Sequence, residues 1–276
     1  MSIIHNIIPS KNLNLQDFFS QLYNSFDDVI IEQRDEDYYF LWIDKKSTKG
    51  VDLTFYDDNI IEVRNTVLSN EIDYLLTNKI IETIIDLTNA KLLNANNETV
   101  EYFPVFSKEI IKQQQVNEYE TIMALLEDEN EITIYGPVRK VYFGPKVYEK
   151  LKQSNANAEE KLKDVFNLIL KIQYLIPDYE YGNIMEARNE KWDEPKILKL
   201  ITNEMDFIID KYDYILFDKS NGDIIMITNK DLNEILPKEW ELLDEYTIVA
   251  PILPQKSWDE LLLKAEKFNK YNELAN

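Results

Sequence analysis

The 276-residue chain contains no cysteine, which removes disulfides, thiolate metal sites and a cysteine nucleophile together. Histidine occurs once, at His5, so a Ser-His-Asp triad or an imidazole-based metal centre would have to use that single ring, in a terminus expected to be mobile. Only five glycines are present: Gly50, Gly136, Gly144, Gly182 and Gly222. A phosphate-binding loop needs clustered glycines so that the backbone can approach the phosphates, and these five stand too far apart for a Walker loop or a dinucleotide fingerprint. No apolar run approaches the roughly 20 residues that span a bilayer. The opening Met1–Ser10 has neither the basic start nor the apolar stretch of a secretory leader, so a cytoplasmic protein is expected. Little glycine or arginine, with abundant isoleucine, asparagine, lysine and glutamate, suggests an AT-rich, bacterial genome.

What is present in excess is negative charge. Fifty-one acids face 30 bases, for a net charge of −21 and a pI near 4.5. Such a surface repels nucleic acid phosphates and anionic membranes. It favours a basic protein partner, whose approach a long-range field would steer. The same acidity also serves plain solubility. Hydrophobic residues at 45% and aromatic residues at 12% supply enough apolar surface for a core, so the chain is expected to fold over most of its length.

Periodicity predicts an α+β protein in which an antiparallel meander packs with long amphipathic helices. Phe18, Phe19, Leu22, Tyr23 and Phe26 recur at spacings of three and four, predicting a helix over Leu15–Phe26 with Asn14 as its cap. Four short β-branched and aromatic runs follow: Val29–Arg34, Tyr38–Ile43, Val51–Tyr56 and Ile60–Thr66. Turn clusters separate them, and their alternation implies one packed face and one wet face. Helices are predicted at Glu71–Ala90, Ser107–Glu127, Lys146–Lys152 and Glu159–Leu175, and Thr99–Phe103 has strand character. Residues 178–195 read as irregular and Lys196–Asn203 as helical.

The C-terminal part reads β-β-α-β-α. A hairpin of Tyr212–Phe217 and Asp223–Thr228 turns at Asn221-Gly222. A helix over Asp231–Leu236 and a strand over Glu245–Ala250 follow. The last helix opens at Ser257, where Ser257 and Glu260 form a capping-box pattern. Gln153–Ala158 has linker composition and places the boundary between an N-terminal region, 1–152, and a C-terminal one, 153–276. A simple interhelical loop within one continuous domain would look the same.

Two groups of residues are candidates for contact with a partner. The first is the stretch Glu131–Tyr148. Tyr135-Gly136-Pro137 and Phe143-Gly144-Pro145 set two turns around a strand over Val138–Phe143. From Val138 to Lys152 the net charge is +4, against −15 before and −10 after. Proline and lysine on such a strand would protect a sheet edge. Tyr135, Arg139, Lys140 and Tyr142 could instead be presented to a partner, because arginine and tyrosine dominate binding hot spots.

The second group is the loop acids Asp35, Glu36 and Asp37 with Asp57 and Asp58. Close carboxylates can hold Mg²⁺ or Ca²⁺ or act as acid and base. Neither these nor the Glu127–Glu131 cluster has EF-hand spacing. A ring of acidic loops meeting basic side chains of another protein is the favoured reading. The expectation is therefore a non-enzymatic acidic binding module without cofactor, an immunity-type inhibitor that neutralises a basic protein toxin such as a nuclease. A chaperone or adaptor for a secreted protein, and a metal-dependent hydrolase built on clustered carboxylates, are the alternatives.

Overall fold

The structure, a computed structural model, describes residues 2–94, 96, 98–100, 104–129, 131–153, 156–175, 184–188, 192–219 and 222–271. They form an α+β protein of two compact units. Unit 1 comprises 1–141 and 148–174; unit 2 comprises 142–147 and 175–276. The boundary expected at 152/153 therefore falls inside the first unit, and the main crossing lies at 174/175. Among the described residues no helix is long and apolar enough to cross a membrane.

Unit 1 opens with β1 (Ser2–Ile8), α1 (Leu15–Ser25), β2 (Val29–Asp35), β3 (Tyr38–Ile43), β4 (Val51–Phe55), β5 (Ile61–Thr66), α2 (Glu71–Thr88) and β6 (Lys91–Asn94). The six strands pair in the order β2-β3-β4-β5-β1-β6, antiparallel throughout. β2 to β5 are the expected meander. The first strand overturns the expectation of a mobile terminus: β1 inserts between β5 and β6, and His5 is buried there. Helix α1 begins as predicted, with Asn14 Oδ1 accepting from the Gln16 and Asp17 backbone amides.

Alternation splits the sheet. Ile7, Val29, Tyr39, Leu41, Ile43, Val51, Leu53, Ile61 and Val63 share a core with Phe18 and Leu22 of α1 and with α2. From α2, Tyr74, Leu76, Ile80, Ile81 and Ile84 are completely enclosed. Each such side chain stabilises the fold by roughly 1.5–3 kcal/mol relative to exposure. Phe40 and Trp42 face the other way yet are also buried, with Arg34 stacked 3.9 Å above the Phe40 ring. On that face Asp52 accepts from Arg64 Nε and Nη2 at 2.9 and 2.8 Å and from the Tyr38 hydroxyl.

Four further elements, α3 (Lys108–Glu129), β7 (Ile132–Tyr135), β8 (Lys140–Phe143) and α4 (Pro145–Gln153), precede α5 (Ala158–Gln173). Helix α3 packs on α5, and its buried Glu118 accepts from the Leu68 amide at 2.9 Å and the Tyr74 hydroxyl at 2.9 Å. The β7–β8 turn is clamped by Gln173 of α5. Its Oε1 accepts from the Val138 and Arg139 amides, and its Nε2 donates to the Arg139 carbonyl. The chain enters the second unit at Tyr142, returns at Tyr148 and leaves for good at Leu175.

Unit 2 contains β9 (Ile184–Ala187), β10 (Lys196–Ile201), β11 (Phe207–Ile209), β12 (Tyr214–Asp218), β13 (Ile224–Ile227), α6 (Asn229–Ile235), β14 (Glu241–Leu242), β15 (Ile248–Ala250) and α7 (Gln255–Ala265). One sheet runs β13-β12-β10-β9 and another β11-β15-β14. The segment expected to be helical, Lys196–Asn203, supplies strand β10, which lies parallel to β12. Part of the stretch expected to be irregular forms β9, antiparallel to β10. Ile201, Phe217, Ile225, Ile227, Trp240 and Trp258 build the core.

Helix α7 starts two residues before Ser257, behind Pro254 and without a side-chain cap. Ser257 donates instead to Glu239 at 3.0 Å. The turn at Asn221-Gly222 is described only from Gly222, whose φ is +88°; Asn221 lies outside the described residues, as do 101–103 of the expected strand and 154–155 of the expected linker.

Candidate functional site

An antiparallel meander returns every second connection to the same end of the sheet. The β2–β3 turn (36–37) and the β4–β5 turn (56–60) therefore lie together, and the segment after β1 joins them because Ile7 pairs with Ile61. Two hydrogen bonds tie the three: the Phe55 amide donates to the Asp37 carbonyl at 2.9 Å, and Asn59 Nδ2 donates to the Pro9 carbonyl at 3.2 Å. Asp35 Oδ1 caps the first turn by accepting from the Glu36 amide at 2.8 Å. Asn59 holds the second, with φ of +63°, a left-handed conformation that asparagine tolerates.

Between the three loops lies a cleft of about 340 Å³, lined by Leu13, Leu15, Tyr39, Phe55, Tyr56, Ile60 and Ile61, with Glu36 and Asp37 at its edge. Asp57 and Asp58 follow Tyr56 in the adjoining turn. All five acids singled out in the sequence are exposed and, among the described residues, none forms an ion pair. Elsewhere exposed carboxylates do find cations, as Asp28 does with Lys46 at 2.8 Å. Lys11 is the base carried by these three loops.

The basic stretch behaves differently. Tyr135 and Lys140 are exposed, with the Lys140 ammonium 5.5 Å from the Tyr135 ring centre. Arg139 and Tyr142 are 7% and 5% exposed, which corrects the expectation that they present themselves to a partner. Both backbone polar groups of Arg139 bind the enclosed Gln173 amide. The Tyr142 amide donates to Asp244 Oδ2 at 2.8 Å, its ring meets Tyr246 edge-on at 5.3 Å, and Asp210 and Asp244 lie close to its hydroxyl. Burial pushes the phenol well above its usual range, with the carboxylates adding to the effect. Alternation holds from Val138 to Val141 and ends at Tyr142 because that residue joins the second unit.

Lys49 and His5 are among the buried bases whose structural place the sequence did not reveal. Lys49 precedes β4, donates from Nζ to the Tyr135 carbonyl, and is lowered to about 8 by burial against the opposing pull of Asp73, Asp52 and Glu118. His5 meets Phe106 edge-on at 5.4 Å and is lowered to about 4 by burial. Neither opens onto the cleft. Among the described residues, no three His, Asp or Glu side chains gather closely enough to hold a metal ion.

Comparison of the chain with protein families, with characterised proteins and with solved structures finds no match.

Proposed function

We propose that the chain is a non-enzymatic, acidic protein-binding module of the immunity type, which neutralises a basic protein toxin by covering it with the loops at one end of the first sheet. The observation that carries this reading is the gathering of Glu36, Asp37, Asp57 and Asp58, all exposed and without cationic partners among the described residues, around a cleft with an apolar floor. A net charge of −21 supports it, because a field of that size draws a cationic protein in before contact is made. Contact itself would rest on Tyr56 and the cleft's apolar residues, with the acids setting orientation.

The test is the association rate with a panel of purified basic nucleases, followed by stopped flow, together with residual nuclease activity in the complex. Raising salt from about 10 to about 150 mM shortens the screening length from roughly 30 to roughly 8 Å, and the rate should fall at least about tenfold. A rate that stays level across that range, or full nuclease activity in the complex, would overturn the reading.

A second reading, an adaptor for an extended segment of another protein, draws on β9. This edge strand carries Ile184 and Met185 at 46% and 41% exposure. Strand addition along it would be abolished by Glu186→Pro, because the Glu186 amide, opposite an Ile197 whose polar groups turn to Asp213, faces away from β10.

A further inference from the structure

The cleft contains one group that its own fold leaves unused. Tyr39 is 8% exposed, wedged between Phe19 at 5.3 Å and Phe55 at 5.8 Å, and it lines the cleft. Among the described residues its hydroxyl takes part in no hydrogen bond, and it is not one of the fully enclosed polar atoms without a partner. The hydroxyl therefore keeps some contact with solvent, on a residue that lines the cleft. A buried tyrosine hydroxyl normally finds a partner, because leaving it dry and unpaired is costly.

The dimensions narrow the occupant. The cleft offers about 340 Å³, room for one long side chain. Its floor is apolar and aromatic, from Leu13, Leu15, Tyr39, Phe55 and Ile60, and its edge is acidic. A long side chain that is hydrocarbon along its stem and cationic at its tip meets both demands at once.

We propose that this cleft receives one lysine or arginine side chain, presented on a segment of a basic protein, with the stem lying on Tyr39 and Phe55 and the cationic head between the Tyr39 hydroxyl and the carboxylates of Glu36 and Asp37. This rests on the acidic-module reading above and names the chemistry of its contact. Asp57 and Asp58 act at the rim, drawing in a second cation of the same segment. The cleft thus selects a base held in a chain, whereas bulk acidity attracts any cation.

The experiment is a ¹H–¹⁵N titration of the full-length chain with a capped peptide of serine and valine around one central lysine. The same peptide with norleucine for lysine, and free spermidine, are titrated alongside. The lysine peptide should shift the amides of Tyr39, Phe55 and Ile60, and should bind at least about fivefold more tightly than the norleucine peptide.

Tyr39→Phe should weaken it about threefold, and Glu36→Gln with Asp37→Asn about tenfold. Asp259→Asn with Glu260→Gln on α7, an equal loss of charge, should leave it within about twofold. Shifts confined to other regions, an equal loss from the α7 pair, spermidine binding as tightly as the peptide, or no peptide binding would each overturn the inference. If basic nucleases are still captured in a salt-dependent manner by the cleft variants, the inference falls and the module reading stands. If the unaltered chain captures no basic protein at all, both fall.

Discussion

Asp73 is fully enclosed, and backbone and side-chain donors surround it. Its carboxylate accepts from the Thr48, Lys49 and Gly50 amides, the Thr48 hydroxyl and the Asn70 amide, all between 3.0 and 3.2 Å. Gly50 is suited to the wrap: its φ is +72°, and a Cβ there would stand 2.7 Å from the Leu41 carbonyl oxygen. Asp73→Ala would strand several buried donors, and urea unfolding should show a loss of about 3–5 kcal/mol. His5 and Lys49 give opposite ends of a pH profile. His5 has a folded pKa of about 4 against an ordinary 6.5, so the unfolded chain binds more protons between those values, and stability falls as pH drops through them. The fall from this residue is on the order of 3 kcal/mol, and His5→Phe should remove it. Lys49, at about 8 against 10.5, makes stability rise with pH across that interval, and Lys49→Met should flatten the rise. Denaturant midpoints measured from pH 4 to 10.5 check both.

At the scale of elements, the turn between β7 and β8 depends on a helix far along the chain. A Cβ on Gly136 would fall 1.9 Å from Gln173 Nε2, so Gly136→Ala must displace the clamp that satisfies Val138 and Arg139. We expect a loss of about 2–4 kcal/mol, with faster exchange of the Val138 and Arg139 amides as the local signature. The helices and meander strands of the first unit were legible because their apolar spacing is clean, as in Ile80, Ile84 and Leu87 of α2 or Val51 and Leu53 of β4. Strand β10 was not. Ile197, Leu200 and Ile201 satisfy a helical spacing, yet Leu198 and Ile201 belong to separate clusters in the sheet and Lys199 is enclosed. A short, nearly continuous apolar run carries both periods at once, and pairing with β12 decides between them. Strand β1 was missed for a related reason, since its partners β5 and β6 lie dozens of residues away.

For the whole molecule, charge is the dominant property. With 51 acids, self-repulsion opposes compaction, so raising salt from about 10 to about 150 mM should increase the thermal midpoint by a few degrees. Calorimetry at two ionic strengths would show it, and an unchanged or lower midpoint would mean the acids are already compensated. Composition and local spacing dictated this acidity, the supply of core residues, the α+β class and the absence of thiols and of clustered glycines, because each depends on which residues are present and how they are spaced locally. The five acids of the candidate site were also visible as two separate clusters. That they share one end of a sheet, around a cleft floored by Tyr39 and Phe55, follows from strand order. Arg139 and Tyr142 are buried, and their amides are held by Gln173 and Asp244, 34 and 102 residues further on. Tertiary structure decided those points because burial and convergence arise from pairings between distant segments, which no local pattern encodes.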